Sequence, residues 1–226
     1  MKSIKDDTLH KISLGLLIIA ALVLVFNSYQ LAQIKIEDAV IGNTAGTSIV
    51  TGNAATDIIP TGIPGIYGPE LGISFDDVSA SDSYKTDAAI RKLGNLDTSI
   101  TLSGQDKERY VNVLYKMENG ISCEYCCGAR AIIFENGEPA CGCAHSYAMR
   151  GLAKYLITNH GEEYSDAELL EEVGKWKVLF FPGIHETKAA VLESQGIELN
   201  YINLASNKYR GIEQGQSSGG SMVGGC

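Results

Sequence analysis

Positive charge is scarce in this chain: 18 Lys and Arg stand against 27 Asp and Glu in 226 residues, a net charge of -9 with no basic block. A surface that neutralises phosphates needs the opposite sign, so nucleic acid is excluded as a partner class. Familiar catalytic signatures are missing too. There is no G-x-S-x-G, H-E-x-x-H, G-x-x-x-x-G-K-[ST] or G-x-G-x-x-G, and the pairs Glu162-Glu163 and Glu171-Glu172 read as solvated helix faces. Nothing therefore marks an enzyme's active site. Cysteine numbers six, and a long apolar run occurs once.

That run, Ile12 to Leu31, carries no charge. Twenty helical residues span the roughly 30 Å hydrocarbon core of a bilayer. A buried helix of a soluble core would usually show a polar face, and a cleaved signal would show a small-x-small exit, which "NSYQLAQIK" lacks. The expectation is an uncleaved signal-anchor. Lys2, Lys5 and Lys11 precede it and only Lys35 follows closely, so the amino-terminal tail belongs in the cytoplasm and the remainder outside, with the membrane as a partner.

The organisation expected is a tail over 1–11, an anchor over 12–31, a Gly/Thr-rich stalk over 32–65, an extracytoplasmic domain over 66–204 and a flexible tail over 205–226. Apolar spacing predicts helices at "KTDAAIRKLGNLD", ending near Gly94, after an N-cap at Ser103, at "AHSYAMRGLAKYLITNHG", at "LLEEVGKWKVLFF" behind a Ser165/Glu168 capping box, and at "ETKAAVLESQG". Arg150 and Lys154 read as an (i, i+4) pair off the apolar side. Pro182-Gly183 reads as a stop, and "IELNYINLA" as a weak strand. The fold class is mainly α with a small β-hairpin.

Five of the six cysteines crowd into "CEYCCGARAIIFENGEPACGCAH". Asn136-Gly137 is a strong hairpin signal, and a turn there brings Cys123, Cys126 and Cys127 towards Cys141, Cys143 and His145. Thiolates from a C-x2-C turn and a hairpin suit a soft metal, copper or zinc, with an iron–sulfur cluster a weaker candidate. Surplus sulfur favours copper(I). Two rivals use the same cysteines: a disulfide-stapled domain without metal, and thiol–disulfide exchange, in which a Cys143 thiol ahead of a helix is activated by the helix dipole and Cys226 acts as a mobile thiol. His160 and His185 lack nearby ligand partners in the sequence, and Tyr147, Tyr155 and Trp176 read as core.

The block "ACGCAHSYAMRGLAKYL" resembles membrane-anchored prokaryotic proteins of uncharacterised activity that carry a P-C-Y-C-G-C-type cysteine motif. Here Pro139-Ala140-Cys141-Gly142-Cys143 lacks the first cysteine of that pattern. The resemblance implies an anchored, extracytoplasmic, cysteine-rich protein.

Overall fold

Asp82 starts the first long helix by accepting the backbone N–H of Lys85 at 3.0 Å, and in this computed structural model, which describes residues 58–126, 128–216 and 222–225, the regular structure among the described residues is almost wholly helical. A short helix α1 (Tyr67–Leu71) precedes α2 (Ser83–Ser99). Then come α3 (Gly104–Val111), passing into a wider turn over Asn112–Lys116, and α4 (Ala144–His160). The chain continues through α5 (Asp166–Phe180), α6 (Pro182–Ser194) and α7 (Tyr201–Ala205). The described residues all lie within the compact unit Ile49–Cys226. Among them no helix is long and apolar enough to cross a membrane; the run 12–31 lies outside the described residues, as do Cys127 and Cys226.

Helices α2 and α4 form the central pair, and a glycine sets their approach. A Cβ on Gly151 would sit 1.9 Å from the backbone oxygen of Leu93, closer than any real contact, so α4 touches α2 backbone to backbone. Gly94 lies against the Cβ of Tyr147 on the same seam. This is why α2 runs through Gly94 to Ser99 instead of ending at the glycine: packing outweighs the modest cost of a helical glycine.

Arg150 corrects the surface reading of its pair. It is fully buried, with Nε donating to Asp97 at 2.8 Å and Nη1 donating to the carbonyls of Cys141 at 2.7 Å and Ile132 at 3.2 Å. Lys154 reaches the other oxygen of Asp97 at 2.7 Å. One guanidinium thus ties α2, α4 and the cysteine segment together.

The capping box at α5 forms as read: Ser165 accepts from Glu168 N at 3.3 Å and donates its own N–H to the Glu168 carboxylate at 2.7 Å. At Pro182 the chain breaks and restarts. Phe181 leaves the helical region (φ -137) and Pro182 opens α6, because a proline ring is preorganised for a helix's first position. The expected strand at "IELNYINLA" is instead α7: Asn200 caps it by accepting from Asn203 N at 2.8 Å, a signal that rough alternation concealed. Trp176 and Tyr67 anchor the core, the indole donating to the phenol at 2.9 Å and the phenol to Glu172 at 2.9 Å. Ile58 is buried with Val178, Ala189, Leu192 and Leu204, and Val223, near the other end, is buried as well.

The β-hairpin does not form as a ladder among the described residues. A reverse turn closes where it was expected, with Gly137 N bonded to Phe134 O at 2.9 Å and Gly137 at φ 84. It is flanked by one isolated bridge, Ile133 to Pro139. Pro139 has no N–H to extend pairing, and beyond it Arg150 takes the Cys141 carbonyl away from any partner strand.

Candidate metal centre

Two different constructions deliver the sulfur atoms. Cys143 is the N-cap of α4, its sulfur accepting the backbone N–H of Ser146 at 3.4 Å, with Ser146 Oγ 3.2 Å away. The first turn of a helix exposes unpaired N–H groups and carries partial positive charge, so a sulfur there is held as an anion is held. Cys123 arrives from an irregular loop. Ile121 bridges Ser206, and Glu124 adopts a left-handed conformation (φ 54). Its carboxylate receives Lys177 Nζ at 3.2 Å and Gly211 N at 2.8 Å. Tyr125 packs edge-on against Phe181 and His185. These anchors turn Cys123 inward and Cys126 outward.

The result is a buried row of sulfurs. Cys143 Sγ lies 3.4 Å from Cys123 Sγ and 3.5 Å from Cys141 Sγ. His145, the second residue of α4, packs on Phe180 with ring centroids 4.6 Å apart, and its Nε2 lies 2.9 Å from the Val223 carbonyl. Since a carbonyl only accepts, Nε2 carries the hydrogen. Ligand atoms of Cys123, Cys143 and His145 all lie within 4.8 Å of one another, and all three residues are buried.

Cys123, Cys126 and Cys143 are thiols, whereas Cys141 is disulfide-bonded. Cys141 therefore touches the cluster without offering it a thiolate. Cys126 is exposed and stands apart from the group, because the Glu124 and Tyr125 anchors decide which way the C-x2-C turn faces. Cys127 and Cys226 lie outside the described residues. His160 is held by carboxylates, Glu163 at 2.7 Å and Glu70 at 2.8 Å. His185 is buried on the Phe181 carbonyl at 2.8 Å.

Electrostatics prepares one of the two thiols. The Cys143 thiol is held far below its ordinary range, first through its hydrogen bond with Cys123, with further contributions from its contacts with His145 and Ser146; burial pulls the other way and loses. A thiolate, a thiol able to give up its proton and an imidazole form a soft donor set. Two sulfurs bonded to one ion at about 2.3 Å each sit roughly 3.8 Å apart. From 3.4 Å they need to open by only a few tenths of an ångström.

Three contributors were not recognised from sequence as part of the site. Ser146 was recoverable, since a polar residue three after a helix's first cap is the standard spacing for an N–H bond. Arg150 and Val223 were not, because both act across long stretches of chain. No protein-family model, no curated protein and no solved structure matches this chain.

Proposed function

We propose that this is a membrane-anchored, extracytoplasmic protein whose folded domain binds one soft metal ion, copper(I), through Cys123, Cys143 and His145. The carrying observation is the buried point, among the described residues, at which two sulfurs and an imidazole converge within 4.8 Å. Three donors of this kind satisfy copper(I) through soft thiolates, and burial keeps out water that would oxidise or displace the ion. Zinc would need a fourth ligand to complete its usual tetrahedron. The anchor reading draws on the uncharged run Ile12–Leu31 and its basic flank.

The test is an anaerobic copper(I) titration of the full-length protein against a chromophoric chelator, with zinc as a parallel arm. One copper(I) per chain is expected. Cys143→Ser and Cys123→Ser should each weaken binding by at least about tenfold, which corresponds to about 1.4 kcal/mol, while Cys126→Ser changes nothing. Retention of copper by Cys143→Ser at wild-type affinity would overturn the assignment, as would preferential retention of zinc for the choice of metal.

A further inference from the structure

Residues 222–225 lie in the tail expected to be flexible, yet they pack against α2, α4 and α5. Val223 is buried. Its N–H donates to the carbonyl of Phe180 at 2.8 Å, one of the acceptors that the end of α5 leaves open. Its own carbonyl accepts from His145 Nε2 at 2.9 Å. Gly224 follows at φ 86. A Cβ there would collide with Ile90 Cδ1 and lie 3.2 Å from Thr86 Cγ2, so glycine is what lets the chain pass over α2.

We propose that Val223 and Gly224 are positioning residues of the metal centre: the Val223 backbone aims the His145 ring so that Nδ1 is the atom given to the ion. The proposal rests on the metal reading above. Of the three ligands, His145 alone has a choice of donor atom. With the Nε2 hydrogen on the Val223 carbonyl, Nδ1 is the nitrogen that has a lone pair to give. A metal-bound histidine usually donates its other ring N–H to a carbonyl or carboxylate, and losing that partner lowers metal affinity about 10- to 100-fold. Here the partner already stands in place.

The rest of the surroundings hold the ring without making that choice. Phe180 packs on it with centroids 4.6 Å apart, and Phe181 meets it edge-on at 5.2 Å. These contacts stop the ring from tipping but do not distinguish its two nitrogens, whereas a backbone carbonyl does. Phe180 contributes twice, its ring to His145 and its carbonyl to Val223, so the end of α5, the carboxyl-terminal strap and the imidazole form one unit. Gly224 keeps the strap close enough to α2 for that bond to be made.

A main-chain carbonyl has no side chain to remove, so the test moves the strap. Gly224→Ala does so, because the new Cβ meets Ile90 and the residue would have to keep a positive φ. Val223→Pro is a second route that removes the N–H held by Phe180. Gly225→Ala is the control, since a Cβ there meets nothing within 4 Å. In anaerobic copper(I) titrations of the full-length protein, both strap variants should bind at least about tenfold more weakly than wild type, and Gly225→Ala should match it. Ring 15N spectra of histidine-labelled protein, assigned against His145→Gln, give a readout that lost packing alone would not move. The metal-free wild type should carry the His145 hydrogen on Nε2, copper(I) should shift Nδ1, and the strap variants should mix the two tautomers. The inference is overturned if copper(I) shifts Nε2 instead, or if both strap variants keep wild-type affinity. Weaker binding with an unchanged tautomer also overturns it, because the strap would then act through stability alone. Failure of the metal reading looks different: the wild type then takes up no copper(I), while the metal-free spectra still show the Nε2 hydrogen and its loss in the strap variants.

Discussion

Helix α4 ends in a titratable cluster at both of its termini, and the two are finished differently. At the amino end, Cys143 takes the helix's spare N–H groups and His145 stands beside it. At the carboxyl end, His160 sits between the carboxylates of Glu70 and Glu163. Each group suits the sign of its terminus, an anion where the dipole is positive and a cation where it is negative. The histidine end is complete, since both ring nitrogens face full counter-charges. The cysteine end is completed by another thiol and an imidazole, weak partners that a soft cation can displace. Charge complementarity alone therefore does not make a site; the partners must be ones that a ligand can improve upon.

The largest effect should come from the clamp between the two ends. Asp97→Asn leaves the buried Arg150 without its counter-charge, and breaking a buried pair costs about 3–5 kcal/mol. Denaturant melts should show that loss, and copper affinity should fall with it, because Arg150 also holds the Cys141 carbonyl. Gly151→Ala comes next. The new Cβ would collide with Leu93 O, and overpacking of this kind costs about 1–3 kcal/mol, with the site at the amino end less disturbed than in Asp97→Asn.

Smaller effects separate capping from ligation at the amino end. A serine at 143 still caps, so Cys143→Ser should cost the metal-free protein less than Cys143→Ala, which gives up the cap as well, by about 1 kcal/mol; both should lose copper. The smallest effect is at the other end and depends on pH. Burial lowers the affinity of His160 for its proton, yet the bonds and charges of Glu70 and Glu163 outweigh it and raise it above 6.5. A raised value in the folded protein means stability that is full below pH 6.5 and lost as the pH climbs through the folded value. His160→Gln should flatten that decline in thermal melts from pH 6 to 9. The cysteine end has the opposite sign. The depressed Cys143 thiol contributes stability that is full above the ordinary thiol range and is lost as the pH falls towards its depressed value.

What could be read in advance follows the same division. Elements set by neighbours in sequence were legible: the start of α4 behind Cys143, the Ser165/Glu168 box, and the reverse turn at Asn136-Gly137. Elements set by distant partners were not. Arg150 looks like a surface cation until Asp97, 53 residues away, is seen to bury it. Cys126 looks like half of a C-x2-C ligand pair until Lys177 and Gly211 fix Glu124 and so turn Cys126 to solvent. Alternation at 197–205 resembled a strand because the helix there is short, and its cap, Asn200, is as common in turns as in caps. The helical half of the candidate metal centre was thus foreseeable, and the loop half required the fold.

Copper-edge X-ray absorption of the full-length protein loaded with one equivalent of copper(I) tests the central claim most directly. Two sulfur scatterers and one nitrogen are expected, with the nitrogen lost in His145→Ala and one sulfur lost in Cys123→Ser. A spectrum with sulfur alone, or one that neither substitution changes, would place the metal elsewhere and contradict the account.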